Sequence, residues 1–297
     1  MLRQTFSQPF RAYLVVLVII FAASTGPIFI RNAQQAGAPS LYIIAARLIL
    51  TSLILAPIVL KKHGKQLGGL PFKEWLLVAV SGFFFALNLL LLFLALEFTS
   101  VLVTSVLRRT TPLWVIWLEM IFLGAIFTRS VWIGLLLTVV GSALVGFGSQ
   151  GAVEAGSSPY LGALIALVGS VSIGFYLLIG RRFSYHLPAL AYSWLVFTVA
   201  ALLAVLSVMV TATPIVGYSL NVYFWIIVVT IVTQFLGHIP INIGLKFFHA
   251  THLSIVMQVA VVVSAVLAFA SFNEIPSSLQ LTGSVAIMIG VTIVSLR

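Results

Sequence analysis

Cysteine and aspartate are both missing from this 297-residue chain, and its acidic residues amount to five glutamates. Without a thiol there is no disulfide framework, no cysteine-ligated zinc or iron–sulfur centre and no cysteine nucleophile. Charge of either sign is scarce: Asp, Glu, Lys and Arg make up 7% of the residues, where a soluble globular protein carries about 25%. So few charges cannot solvate a water-soluble body of this size. What is present instead is apolar, 62% of the chain, and the sequence reads as a membrane protein. At about 20 residues per spanning helix, ten spans consume most of the length and leave only short loops.

The net charge of +10 would suggest a nucleic-acid partner in a soluble protein. Here the basic residues sit in short joints between apolar runs, with no basic stripe, so no nucleic acid is expected. Arg3 and Arg11 followed by an apolar stretch to Ala22-Ala23-Ser24 imitate a secretory signal. Apolar character resumes at once with Ile28-Phe29-Ile30, and the repeat described below needs this helix, so it is expected to be retained.

Ten apolar segments can be read, near 12–31, 40–60, 73–96, 99–122, 131–149, 160–180, 188–210, 222–245, 251–272 and 277–296. They are continuously apolar, not alternating with period two, which favours helices over a β-barrel. With a cytoplasmic N-terminus, Arg3, Arg11, Lys61, Lys62, Lys65, Lys73, Arg129, Arg181, Arg182, Lys246 and Arg297 all fall on the cytoplasmic side. Only Arg31 falls at the opposite ends. The excess of Lys and Arg on one side predicts both termini in the cytoplasm, in the inner membrane.

Sliding the chain by 149 residues pairs Pro39 with Pro188, Ser105 with Ser254, Gly134 with Gly283 and Gly141 with Gly290, besides many Leu and Val. Residues 1–150 and 151–297 then form two five-span halves of one membrane domain. An odd number of spans inserts the second half upside down, giving an all-α protein of two inverted repeats. Such halves can open one side while closing the other, with a substrate site near the midplane between them.

Ala95-Leu96-Glu97-Phe98-Thr99-Ser100 resembles the "ALxYTS" turn of the drug/metabolite transporter superfamily, in its ten-helix EamA-type branch. Gly244-Leu245-Lys246-Phe247-Phe248-His249 stands at the matching place in the second half. Phe272-Asn273-Glu274-Ile275-Pro276 resembles the family's acidic turn before a last helix with spaced glycines, here Gly283 and Gly290. In the first half, Leu123-Gly124-Ala125 has Ala where the family commonly has Glu. The resemblance runs from about residue 12 to 296. It implies a transporter of small metabolites, often amino acids or related compounds and often an exporter, but no particular substrate; no cofactor and no metal are expected.

Three arginines lie inside predicted spans: Arg47, Arg108 and Arg109. A centred Arg costs about 2.5–3.5 kcal/mol on insertion scales, so arginines facing lipid are hard to tolerate. Counted along their helices at 1.5 Å per residue, all three reach a similar depth. Under the 149 offset they map onto Val196, Met257 and Gln258, so the fold itself does not require them. Arg108 or Arg109 is expected to hold a carboxylate or phosphate of the substrate, because a guanidinium stays ionised and donates bidentate hydrogen bonds. Adjacent residues on a helix point about 100° apart, so the two are not expected to face one lumen alike. The competing reading is a structural lock, with the arginines paired to Glu97, Glu119 or helix-end carbonyls.

Further candidates for the substrate site are Trp114, Tyr176, His238, Gln258 and Asn88, with Trp117 and Trp194 as weaker aromatic ones. Each has a structural alternative: His238 hydrogen-bonded between helices, the aromatics filling interfaces. Glu119 near the cytoplasmic end is easily solvated, and no paired intramembrane carboxylates support strong proton coupling. His249 and His252 lack the further ligands a metal needs. Gly26-Pro27, Pro112 and Pro240, and Pro57 with them, interrupt spans and are candidate gates or mere shapers of the bundle. The expected function is secondary transport of a small organic metabolite, amino acid or organic anion, by alternating access. Its partners are that metabolite and the lipid bilayer, and a monomer is compatible with it. An intramembrane lipid-handling enzyme and a non-transporting scaffold or sensor are the alternatives.

Overall fold

A computed structural model describes residues 10–99, 101–148, 158–272 and 277–295, and their regular structure is entirely helical. The first half holds α1 (Phe10–Gln35), α2 (Ser40–Gly68), α3 (Phe72–Phe98), α4 (Val101–Arg108), α5 (Thr111–Leu123) and α6 (Arg129–Gly148). The second holds α7 (Pro159–Phe183), α8 (Ala189–Val210), α9 (Leu220–Thr230), a π-helical turn (Ile231–His238), α10 (Ile239–Gly244), α11 (Ala250–Val256), α12 (Val259–Phe272) and α13 (Ser278–Ser295). The linker at 151–157 with the half boundary, the acidic turn at 273–276, and positions 3, 100 and 297 lie outside the described residues.

Six helices are long and apolar enough to cross a bilayer: Arg11–Gln35, Ser40–Gly68, Phe72–Phe98, Tyr160–Phe183, Ala189–Val210 and Leu220–Gly244. Arg129–Val145, Ala250–Ser264 and Ser278–Val294 are apolar but shorter. Large apolar side chains stand exposed along the bundle, among them Leu17, Leu53, Leu136, Leu202 and Ile227, as a surface facing hydrocarbon requires. This is a multi-pass membrane protein.

Helices related by the 149 offset run antiparallel where they meet. Ala or Ser at four positions would break the tightest contact: a Cβ at Gly134 would lie 2.6 Å from the Gly290 carbonyl, and one at Gly141 would lie 2.6 Å from that of Gly283. These two contacts exchange under the offset, as a pseudo-two-fold axis between α6 and α13 demands. α2 and α8 are likewise offset mates. Trp194 Nε1 donates to the Ser52 carbonyl at 3.1 Å, and Gln66 Nε2 to the His186 carbonyl at 3.1 Å. Much of the remaining packing is also across halves, α3 on α7 and α8, and α1 on α9, the π turn and α12. Glycine at the α6–α13 seam matters because lipid tails offer no hydrophobic drive for helices to associate, so close backbone approach supplies the dispersion energy.

Two expected spans are not single helices. Between α4 and α5 the backbone turns at Arg109 and Thr110, with Arg109 N–H and Thr110 N–H reaching only the third carbonyl back, at Val106 and Leu107. Pro112, in the first turn of α5, brings no N–H and its ring opposes a continuous α-helix. Between α11 and α12 the chain turns at Met257 and Gln258, and Gln258 N–H likewise reaches Ile255. The two breaks overlap under the offset, where Arg109 matches Gln258. By contrast Pro27 and Pro57 ride inside continuous helices. Pro240 stands in the first turn of α10, just after the π-helical turn, where Ile239 N–H bonds the Gln234 carbonyl, five residues back. Its missing donor and the clash of its ring with an α-helical ladder account for the wider turn.

Candidate functional site

A cavity of about 460 Å³ lies where the broken helices meet α1, α2, α3, α7 and the π turn. Its lining obeys the repeat. Asn88 and Gly237, Leu89 and His238, Leu92 and Ile241, Arg108 and Met257, Arg109 and Gln258, and Pro112 and Val261 are all offset mates, and all line it. The cavity is therefore centred on the pseudo-two-fold axis. It extends along α1 from Ile19 to Ile30 and along α12 to Ser264. At the other end, Leu67, Val78, Phe183, Leu187, Tyr192, Leu245 and Leu253 form a packed core, each at most 4% exposed.

All three intraspan arginines reach this cavity. Arg47 on α2 is 4% exposed and donates from one Nη to Thr233 Oγ1 at 3.4 Å, while its Nε has no partner. Arg108 donates to the Asn88 carbonyl of α3 at 3.2 Å. Arg108 and Arg109 both line the cavity, against the expectation drawn from their 100° separation. The reason is local: α4 ends at Arg108, so the rule for consecutive helical residues does not span the break.

The carboxylates proposed to lock these arginines are elsewhere. Among the described residues no Asp or Glu lines the cavity, and the single ion pair is His249 Nδ1 to Glu119 at 3.6 Å. Glu119 is not the solvated side chain expected at a helix end. It is fully buried, and it accepts hydrogen bonds from Ala250 N–H at 3.0 Å, Thr251 N–H at 2.9 Å and the Thr251 hydroxyl at 2.6 Å. It thus caps the start of α11, where unpaired N–H groups and the helix dipole favour an anion. The sequence hides this because α5 and α11 come from different halves.

The other candidates divide. Asn88 and Gln258 line the cavity, and so do Tyr176 and His238. Asn88 Oδ1 and His238 Nδ1 are buried without a partner, so the hydrogen-bonded histidine expected between helices is not what the ring makes through Nδ1. Its ring stands edge-on to Phe85, 4.7 Å between centroids. Tyr176 turns its hydroxyl away into a buried chain, donating to Asn242 Oδ1 at 2.9 Å while Asn242 donates to Ser193 at 2.8 Å. Trp114 is not in the lining; its Nε1 clasps Thr110 Oγ1 at the break, 3.0 Å away. Trp194 bonds α2, and Trp117 is 52% exposed. Of the proposed gate residues Gly26, Pro27 and Pro112 line the cavity and Pro240 does not. Sequence reasoning missed Thr233 and Thr111. Thr233 reaches Arg47 from within the π turn, whose register no helical periodicity reveals.

Each carbonyl freed by the α4–α5 break has found a donor, as buried backbone groups must. The Leu107 carbonyl takes Thr110 N–H and the Thr110 hydroxyl at 2.6 Å. The Arg108 carbonyl, which Pro112 cannot serve, takes the Thr111 hydroxyl at 2.8 Å. Leu113 N–H bonds Thr110 instead of Arg109, and the Arg109 carbonyl takes Gln258 Nε2 at 2.8 Å, across the axis. The backbone is thereby satisfied without the guanidinium groups of Arg108 and Arg109. Arg108 commits one donor to the Asn88 carbonyl, and the other donors of the two groups remain available to a ligand.

An interlocked helical bundle with broken helices around a cationic central cavity is the class of a membrane carrier of small molecules. The model of the EamA-like transporter family matches residues 10–147 and again 160–296, and the chain belongs to that family. Among 29 matching chains of solved structures, one known by its crystal structure aligns over 96% of this chain and 96% of its own. Its sequence is 18% identical and its TM-score 0.79, a shared fold. No curated protein matches the chain.

Proposed function

We propose that this protein is a secondary transporter of a small organic metabolite bearing an anionic group, an amino acid or organic acid, working by alternating access between two inverted repeats. The carrying observation is the cavity on the pseudo-two-fold axis, lined by Arg47, Arg108 and Arg109 with no carboxylate among its described lining residues. Guanidinium groups in a low-dielectric site without counter-ions attract a carboxylate or phosphate, which they bind bidentately. Asn88, His238 and Gln258 complete the polar wall, and Tyr176 presents its ring. Ten spans follow when α4–α5 and α11–α12 each count as one crossing interrupted at its middle, the arrangement by which transporters expose irregular backbone only to a cavity. The excess of Lys and Arg on one side supports a reading with both termini in the cytoplasm, in the inner membrane. The cavity then extends toward the periplasm while the packed core around Leu187 and Leu245 closes the cytoplasmic side.

The test is a thermal-shift screen of the purified protein against amino acids, organic acids and phosphorylated metabolites, since a ligand stabilises in proportion to its occupancy. Anionic compounds are expected to raise the melting temperature. The gain is expected to shrink in Arg108→Gln and Arg109→Gln, which keep a donor and lose the charge. Stabilisation by cationic compounds alone, or unchanged affinity in both variants, overturns the assignment.

A further inference from the structure

The hydrogen bond from Gln258 Nε2 to the Arg109 carbonyl joins two residues separated by 149 positions, the repeat offset itself. Offset mates touch only on the pseudo-two-fold axis, and this pair sits there with a helix break on each side. The bond is nevertheless one-directional. Gln258 gives its side chain to the backbone of residue 109, while the Arg109 side chain lines the cavity without a hydrogen bond to any described residue. The local backbone is equally asymmetric. Val261 N–H reaches the Gln258 carbonyl at 3.0 Å, whereas its mate Pro112 has no N–H to give Arg109. That carbonyl therefore depends on Gln258.

Inverted repeats change face by exchanging conformations, so each half takes the shape the other has now. A contact made from half two to half one in this state is replaced, in the opposite-facing state, by the same contact made from half one to half two. We propose that residues 109 and 258 are such an exchange pair, with one arginine serving two states. In the state described here Gln258 holds the open carbonyl of Arg109, and the guanidinium is free for the anion. In the opposite-facing state the guanidinium donates to the Gln258 carbonyl, which keeps a second lone pair beside its bond from Val261, and so withdraws from the anion. Binding on one face and release on the other are then set by which way this bond runs. The inference rests on alternating access and assigns Gln258 a positioning role in it.

The absence of native cysteine makes the test direct. Ile30→Cys reports the end toward which the cavity extends, and Leu253→Cys, now 1% exposed, reports the packed end. Maleimide labelling rates are read at each reporter in nanodiscs without any substrate, so the outcome does not depend on the identity of the anion. Gln258→Met leaves the Arg109 carbonyl unpaired in this state, and is expected to slow labelling at Ile30→Cys and speed it at Leu253→Cys, each about tenfold. Arg109→Met removes the bond of the other state and is expected to shift both rates the opposite way. The doubly exchanged variant Arg109→Gln with Gln258→Arg keeps a donor at each position and is expected to return both rates toward the parent. Shifts of the same sign in the two methionine variants, or none, overturn the exchange pair. If labelling behaves as expected but no anion binds, the substrate assignment fails and the exchange pair stands.

Discussion

Replacing Glu119 with glutamine keeps the size and shape of the side chain and changes one atom and one charge. The carboxylate now accepts from three donors, Ala250 N–H on Oε1 and Thr251 N–H and hydroxyl on Oε2, with His249 Nδ1 3.6 Å from Oε1. Glutamine keeps one acceptor oxygen. If its NH2 takes the Oε1 place, Ala250 N–H points at another donor. If it takes the Oε2 place, the Thr251 hydroxyl can turn to accept, but Thr251 N–H is stranded. Either orientation leaves one buried backbone N–H unpaired, about 1–3 kcal/mol, and strips the charge from the surviving bonds, worth roughly another 1 kcal/mol. The sum is about 2–4 kcal/mol, which lowers the melting temperature of a chain this long by about 3–6 °C. Thermal unfolding in detergent, followed by tryptophan fluorescence with Glu97→Gln at an exposed position as the control, measures it. A fall under about 2 °C refutes the cap. A fall equal in the control refutes its location.

Two further outcomes follow from the packing. Gly283→Val places a Cβ 2.8 Å from Val145 N and 2.9 Å from its Cγ2, so α6 and α13 must part. The expected loss is about 1–3 kcal/mol or more, read as lower thermal stability, while Leu281→Ala, at a position 58% exposed, is expected to stay within about 0.5 kcal/mol. Tyr192→Phe removes the 2.5 Å hydrogen bond between the Tyr192 and Ser81 hydroxyls that joins α8 to α3. It is expected to cost about 0.5–1.5 kcal/mol, because the fully buried Ser81 can still turn to a carbonyl of its own helix; a stabilised variant counts against that bond.

What the sequence reveals and what it hides have physical reasons. The α6–α13 seam was legible in Gly134, Gly141, Gly283 and Gly290, because close backbone approach demands a residue without a Cβ and a repeat states the demand twice. Helix existence was legible from continuous apolar runs. The breaks were half-legible: Pro112 marks one, but its mate Val261 marks nothing, and Gln258 breaks the helix by a turn that any residue can adopt. The contacts of Glu119 and Thr233 were invisible, since each joins halves far apart in sequence and neither has an offset mate of its own kind.

The same contrast explains why Arg109 shares one cavity with Arg47 and Arg108 although its direction is not that of a residue in an unbroken helix. Depth follows from counting residues along a helix, and counting survives a turn with little error. Direction follows from 100° per residue, and one turn of non-helical backbone at Arg109 and Thr110 resets it. A break at the centre of a span thus decouples where a charge lies from where it points. The chain uses this freedom to bring two consecutive arginines to one cavity, which an unbroken helix would have divided between the cavity and a neighbouring helix.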